Sequence, residues 1–438
     1  ARLGGRRRPT ERASRISLRA DPTLMRVLHI LRKYDPAEWG GTETAIRQLT
    51  AGLAHAGVES VVYAPRLARA SAREPAGDCE VRRFRAYLPV WGLGRERRRN
   101  LVAVGGNLIS FELIRSLWRE KRASIIHAHT LGRLGATGLA IARRRGLPFV
   151  LTVHGGLYDL PDALRRDFTE SGAEGWDWGQ AFGLLVRSRN LVGEADAVIT
   201  CNPREAELIR ERHPGLRVLV QPHGVPLARF AGDARPAARA AFPEIAGRRL
   251  LLMPGRIDPV KNQMWVLEQA AALRSRHPDV LILMVGACTD RGYERRLKER
   301  LAALGLSGHV LMAGRLPPAD LRLVGLLQEA RAVLLPSVSE TFGLVILEAW
   351  AAGTPTIASR TSGAVSLIDT KRDGWLFSLD KPEEFHRAID EALAGPDARD
   401  RRGEAGRARV ASEFDAQVLA LRIRGMYEEL EALRTCAT

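Results

Sequence analysis

Cysteine is scarce in this chain: four in 438 residues, at Cys79, Cys201, Cys288 and Cys436. They are scattered, with no Cys-x-x-Cys pair and no metal-ligand spacing. That argues against a disulfide framework or a structural zinc module and fits a reducing, cytoplasmic setting. Long apolar runs are missing too. The longest, such as 280–288, cover nine residues, against the roughly 20 that a spanning helix needs. The Arg-rich start is followed by no apolar h-region, so no secretory signal is expected there. Residues 1–24 are expected to form a disordered basic extension ahead of the first strand. Three phosphate signatures are absent as well: G-x-x-x-x-G-K-[ST], the full G-x-G-x-x-G and any Asp-x-Asp. The sequence therefore points neither to a P-loop nor to a nicotinamide fingerprint, and it gives no sign of a metal-bridged diphosphate. No metal and no resident cofactor are expected.

The formal net charge of +17 is unevenly spread. Residues 1–24 carry seven Arg against two acids, residues 25–230 carry 31 Lys and Arg against 21 Asp and Glu, and the rest is nearly balanced at 29 against 27. Two readings stay open: an anionic or membrane-borne partner for the N-terminal half, or an Arg-rich habit on solvated faces. Nucleic acid is not expected as a partner.

Short apolar runs alternate with helical stretches along the whole chain. One series of strands is expected at 26–31, 60–63, 124–127, 149–153 and 197–200. A second is expected at 250–253, 280–285, 310–313, 332–335 and 356–358. Apolar strands without polar alternation, separated by helices, predict parallel sheets covered on both faces. Two series predict an α/β protein of two doubly wound, Rossmann-like domains facing across a cleft. The expected boundaries are 25–225, 226–410 and a C-terminal helix at 411–438 that crosses back to the first domain.

In such sheets ligands bind beyond the carboxyl ends of strands, and the informative residues fall there. Gly40 and Gly41 precede a helix after the first strand, where glycine lets backbone N–H groups approach a ligand, although a plain turn fits as well. His154 follows the strand at 149–153 as a polar contact for a hydroxyl, or as a structural histidine. After 250–253 comes P-G-R-I-D-P-V-K-N-Q. Gly255 opens that turn, and Arg256 and Lys261 could clamp a diphosphate or simply be solvated. Leu316 lies in a loop that could read a base edge.

The densest segment is P-S-V-S-E-T-F-G-L-V-I-L-E-A-W-A-A. Glu340 falls on a strand-to-helix loop and Glu348 inside an otherwise apolar helix at 343–352. Vicinal hydroxyls could satisfy both carboxylates while the helix start, from Phe342 through Gly343 and Leu344 to Val345, faces an anion. Dipole complementation for one and an ion pair with Lys or Arg for the other is the competing account. Residues 82–122 mix Arg82, Arg83, Arg85, Arg95 and Arg97–Arg99 with Phe84, Tyr87, Trp91, Phe111 and Trp118. This stretch reads either as a contact for anionic lipid or as a variable acceptor loop with a buried helix.

Taken together, G-G-T-E, G-R-I-D-P-V-K-N, S-E-T-F-G-L-V-I-L-E-A and A-A-G-T-P-T-I-A-S resemble the retaining glycosyltransferases of family 4, with the glycosyltransferase B fold. The resemblance runs from Met25 to about Tyr427. It implies a nucleoside-diphosphate sugar, UDP- or GDP-linked, as co-substrate. Arg256 and Lys261 would hold the diphosphate and Glu348 the ribose. Glu340 would meet the transferred sugar, His154 its C6 hydroxyl, and Gly40 and Gly41 the diphosphate or acceptor side. The acceptor would be a glycan, a lipid-linked or a small molecule, in envelope or exopolysaccharide assembly, with peripheral contact on the inner face of the membrane. Three departures stand out: Pro222-His223-Gly224-Val225 in place of Asn-Gly-Val, no Glu in Ser362–Ser366, and Asp415 where an aromatic often stands. The alternatives are a nucleotide-sugar epimerase of similar fold and a silent binding module with an anionic partner.

Overall fold

The computed structural model describes residues 24–35, 40–66, 71–94, 107–155, 157–158, 176–288, 290–317 and 320–435. The expected extension at 1–24, Arg95, Arg97–Arg99 and Cys436 fall outside these, Leu24 excepted.

The first sheet uses β1 (Arg26–Ile30), β2 (Glu59–Pro65), β3 (Arg73–Ala76) and β4 (Cys79–Phe84). A two-residue strand β5 (Val90–Trp91) lies apart; β6 (Ile125–Ala128) and β7 (Phe149–Val153) rejoin the sheet. Strand β8 (Trp176–Asp177) pairs with β5, and β9 (Ala197–Thr200) and β10 (Val218–Val220) complete the sheet. The order is β10-β9-β7-β6-β1-β2-β4-β3, parallel except for β3 against β4. The second sheet comprises β11 (Arg249–Pro254), β12 (Val280–Val285), β13 (Val310–Gly314), β14 (Ala332–Leu335), β15 (Thr356–Ser359) and β16 (Gly374–Phe377). It is parallel throughout, in the order β13-β12-β11-β14-β15-β16. The α/β class with two Rossmann-like sheets is thus as the sequence predicts.

Burial explains the pattern. Strands β1, β6, β7, β9, β12, β14 and β15 are buried at every position, so none shows the alternation of a one-sided sheet, and polar residues such as Arg26, His29 and His127 are buried among the apolar ones. The strands missed in the sequence include polar and short ones, and also the apolar β16. In β4, Arg82 and Arg83 interrupt the apolar pattern, and β10 is only half-buried.

Both sheets reverse direction at a topological switch point, between β1 and β6 and between β11 and β14. Loops leaving neighbouring strands on either side of such a point diverge and leave a crevice. In the second domain these are the loops bearing Arg256, Lys261 and Glu340. They are tied together by Val338 N–H donating to Val260 O at 2.8 Å.

The chain passes between domains twice, side by side. Val225 N–H donates to Phe414 O at 2.8 Å, and Ala416 N–H to Val225 O at 3.2 Å. Asp415 caps the final helix, Ala416–Thr435, accepting from Gln417 N–H at 2.7 Å, which accounts for a carboxylate at this departure. That helix packs along the helix Gly41–His55. The two approach so closely at Gly52 that a Cβ there would lie 2.6 Å from Ala420 Cβ.

Candidate active site

Lys261 and Glu340 meet directly, Nζ donating to Oε2. Both are largely shielded from solvent. Arg256 pairs with Asp258 at 3.1 Å, and the buried Asp258 carboxylate also accepts from Lys261 N–H at 3.0 Å. Asp258 therefore shapes the loop that presents both cations. The helix after Glu340 spans Leu344–Ala351 with Gly343 as its N-cap. Glu348 lies one turn in, on a helix that carries no other charge. Its Oε1 accepts from Arg229 Nη1 at 3.1 Å. Arg229 comes from the short turn Leu227–Phe230 that follows the interdomain linker. The ion-pair account of Glu348 is what this structure displays. The lysine and glutamate assigned to different parts of one ligand are partners of each other.

The first domain supplies the facing wall. Gly40 N–H already donates to Glu43 Oε2 at 3.0 Å, so Gly40 is committed to its own helix start. Burial pushes the Glu43 carboxyl up, with Lys33 and Arg256 among the charges opposing that shift. Glu43 is thus a buried acid beside the candidate diphosphate loop that spacing did not single out. His154 and Gly155 abut the Glu340 loop. Gly155 has φ +140°, and a Cβ there would fall 2.0 Å from Thr341 Cγ2. Only glycine tolerates both that backbone and that approach. Asn202 Nδ2 donates to Thr341 O at 3.2 Å from the same wall. Leu316 follows the edge strand β13, three strands from β14, and packs partly buried against the core. Gly363 N–H donates to Glu340 O at 2.8 Å, so the segment lacking the family's Glu still holds the Glu340 loop in place.

His154 is not a lone histidine. Its Nε2 shares a hydrogen bond with His129 Nδ1 at 3.0 Å, and His129 Nε2 shares another with His29 Nδ1 at 3.0 Å. His127 lies against His129, with centroids 4.0 Å apart and the rings tilted by 35°. Both its nitrogens are bonded, Nδ1 to Tyr427 OH and Nε2 to Thr152 Oγ1, each at 2.6 Å. His223, the departure in the linker, stacks on His154 at 5.5 Å and meets Phe342 edge-on at 4.9 Å. Burial lowers all five: His29 and His154 to about 3, His223 to about 4, and His127 and His129 well below the ordinary value. They are neutral at physiological pH. Nitrogens of His29, His127 and His129 lie within 4.8 Å of one another, but hydroxyls and neighbouring rings already occupy both nitrogens of His127 and His129. The signal for this array was present in His127-Ala-His129: two positions apart, they extend from one side of a strand.

The basic, aromatic stretch divides in two. Arg83 is buried, donating to Glu74 Oε1 and Tyr34 O, and Arg82 is tied to Tyr63, Glu80 and Glu120. Phe84 is buried in the core. These three hold the sheet edge together and cannot touch lipid. The expected buried helix, Phe111–Arg119, is amphipathic: it buries Leu113 and Leu117 and exposes Phe111 and Trp118. Trp91, Trp176 and Trp178 form an exposed cluster, with centroids 5.1 and 6.4 Å apart from that of Trp91. Among the described residues no helix is long and apolar enough to cross a membrane.

Two Rossmann-like sheets, each with a switch point, and cations and carboxylates gathered after β11 and β14 define an α/β class with its candidate site at the switch point of the second sheet. Residues 39–229 match Glycosyltransferase Family 4 and residues 234–409 match Glycosyl transferases group 1. A D-inositol 3-phosphate glycosyltransferase of Arthrobacter sp. (strain FB24) is 30% identical over 84% of this chain and 85% of its own. The fold is similar to that of a sucrose-phosphate synthase from Thermosynechococcus elongatus, with TM-score 0.71 and 23% identity over 93% of this chain and all of that one. It is also similar to Anabaena HepE in complex with UDP and glucose, with TM-score 0.69 and 18% identity over 92% of this chain and 99% of that one. The chain belongs to glycosyltransferase family 4 and has the glycosyltransferase B fold. It is a glycosyltransferase, moving sugar from a nucleotide sugar to an acceptor.

Proposed function

We propose that the chain transfers a hexose from a UDP- or GDP-sugar to an acceptor hydroxyl with retention of anomeric configuration and without a metal. The carrying observation is the pairing of the Arg256–Lys261 loop with the Glu340–Glu348 segment across one switch point. As the glycosidic bond breaks, charge develops on the diphosphate. Arg256, Lys261 and the N–H groups at the helix start stabilise that charge once the two cations exchange Asp258 and Glu340 for the diphosphate. In this role the two cations do the electrostatic work that a bridging metal would do. Glu340 orients the sugar, Glu348 the ribose, and His154, neutral, meets a sugar hydroxyl. The departing phosphate oxygen takes the acceptor proton on the face from which the acceptor attacks. That geometry gives retention.

A hydrolysis and thermal-shift screen across UDP-, GDP- and ADP-sugars tests this. One base class is expected to raise Tm and to turn over, with the product anomer matching the donor by NMR. No shift and no turnover with any of the three would reject the reading. An epimer accumulating from donor alone would favour the epimerase.

We further propose that the acceptor is membrane-borne and belongs to envelope or exopolysaccharide assembly, the enzyme touching anionic lipid through Trp91, Trp176 and Trp178. Indole rings settle at the headgroup level, and Trp91 and Trp176 are 61% and 64% exposed. The protein is expected to sediment with phosphatidylglycerol vesicles at low salt. A Trp91→Ser/Trp176→Ser variant should bind roughly tenfold less. Equal sedimentation of the two proteins, or none by the parent, rejects the contact.

A further inference from the structure

Three of the buried histidines form one continuous chain. His29 Nδ1 meets His129 Nε2, and His129 Nδ1 meets His154 Nε2, each at 3.0 Å. The outer member, His154, is the group assigned above to a sugar hydroxyl. The inner two are enclosed: His29 has no exposed surface and His129 is 7% exposed. Ring contacts hold the outer end. His154 packs with His129, centroids 5.2 Å apart, and stacks with His223 at 5.5 Å.

Counting protons restricts this chain to two orders. A neutral imidazole has one N–H and one bare nitrogen, and burial keeps all three neutral. Each shared contact needs one of each. With the protons directed inward, His154 and His129 both donate through Nε2, and the spare N–H falls on His29 Nε2. With the protons directed outward, His29 and His129 both donate through Nδ1, and the spare N–H falls on His154 Nδ1.

The surroundings choose between the two. His29 Nε2 is buried and has no partner among the described residues. An orphaned buried N–H is rarer in folded proteins than an unfilled acceptor, so this nitrogen is better left bare. His154 Nδ1 also lacks a partner among the described residues, but its ring is only part-buried. With Gln48, Gln221 and His223 it lines a small cavity. Water centres can occupy about 40 Å³ there, against the roughly 10–15 Å³ that one water needs. The buried Gln48 amide has neither its oxygen nor its nitrogen bonded among the described residues, so the cavity wall has polar atoms to spare. The outward order leaves its spare N–H on a ring that borders this cavity; the inward order strands it at His29.

We propose that His129, backed by His29, is a positioning residue for sugar transfer, donating to His154 Nε2 and so fixing His154 as the Nδ1–H tautomer. The hydrogen bond made by one ring nitrogen decides the state of the other. With Nε2 filled, His154 has no free lone pair. It serves as a hydrogen-bond donor and is removed as a base, which leaves the acceptor proton to the departing phosphate. This rests on the reading of His154 as a sugar contact and adds the residues that set its tautomer.

Nitrogen-15 NMR of the imidazoles reads the tautomer, and initial rates read its consequence. The variants are His129→Phe, which removes both nitrogens, His129→Gln, whose amide can replace Nε2 only, and His129→Asn, whose amide can replace Nδ1. The His154 signals are those lost in His154→Gln. They are expected to show Nδ1 protonated in the parent and in His129→Asn, and Nε2 protonated or the two forms exchanging in His129→Phe and His129→Gln. Turnover is followed with UDP-, GDP- and ADP-glucose, using whichever the parent consumes fastest. For His129→Phe and His129→Gln kcat should fall about 10–100-fold, the scale for losing the outer partner of a functional imidazole, with KM within about threefold. His129→Asn should recover to within about fivefold of the parent. A parent His154 protonated at Nε2 overturns the proposal, and that result needs no His129 variant to fold. Parental kcat in His129→Phe overturns it too, as does an equal loss in all three variants that tracks Tm; each of these leaves the sugar contact of His154 standing. Parental transfer by His154→Gln, or a parent that consumes none of the three donors, overturns the reading and the proposal together.

Discussion

Lys261→Ala will lower sugar transfer by about 10²–10³-fold, the scale for removing one preorganised group that stabilises developing charge. Glu340→Gln will cost a similar factor, and the double variant little more than either single one, because groups acting as a unit are strongly non-additive. The pairing of the two side chains is the reason. Each is the other's partner before a donor arrives, and each is assigned to the ligand afterwards. Loss of Lys261 leaves a shielded carboxylate uncompensated at the proposed diphosphate position, so repulsion would add to the lost attraction. Initial rates with the donor found in the screen, alongside melting curves of each variant, decide the matter. Transfer within about threefold of the parent by both single variants would remove the pair from the reaction. A fall in Tm that tracks the fall in rate would assign it to the fold.

Acid will unfold this protein early. His29, His127, His129, His154 and His223 are neutral in the native state because burial lowers their pKa values, to about 3 for His29 and His154 and about 4 for His223. In the unfolded chain each titrates near 6.5. Above that value neither state binds the protons and the stability is intact. As pH falls below it, the unfolded chain takes up protons that the native array refuses, and stability declines until the folded values are reached. One group accounts for about 1.4 kcal/mol per pH unit, so five acting together remove up to about 7 kcal/mol per unit. Against a total of roughly 5–15 kcal/mol, melting at room temperature is expected near pH 5. Melting curves from pH 8 to 4.5 should show a plateau followed by a steep fall. His29→Phe should lower the slope by about one proton. A Tm that is flat down to pH 5 would mean that the histidines are hydrated or charged.

The sheets were legible because most of their strands are buried on both faces, and continuous apolar runs such as β12 and β14 announce that directly. The loops at strand ends were legible for the same reason: once β7, β11 and β14 are placed, His154, Arg256 and Glu340 follow them. What sequence could not give was pairing across distance. Arg229 looks like one more arginine in an arginine-rich chain, and only the linker's path brings it to Glu348, 119 positions away. His29, His129 and His154 lie on or after three different strands, and only the sheet order makes them neighbours. Arg82 and Arg83 misled in the opposite sense. Clustered charge reads as surface until Glu74, Glu80 and Glu120 are seen around it.

The ion pairs of the cleft have one more consequence. Lys261, Arg229 and Arg256 each face a carboxylate of the protein's own. The resting site therefore carries internal counterions and does not repel itself. On the proposed site, a donor would enter by exchange, displacing carboxylates from cations, and would gain only the excess of the new contacts over the old. On the same proposal, those contacts would close again when the spent nucleotide departs. The protein's own acids would then compete with the product for its cations, which would favour release after each turnover.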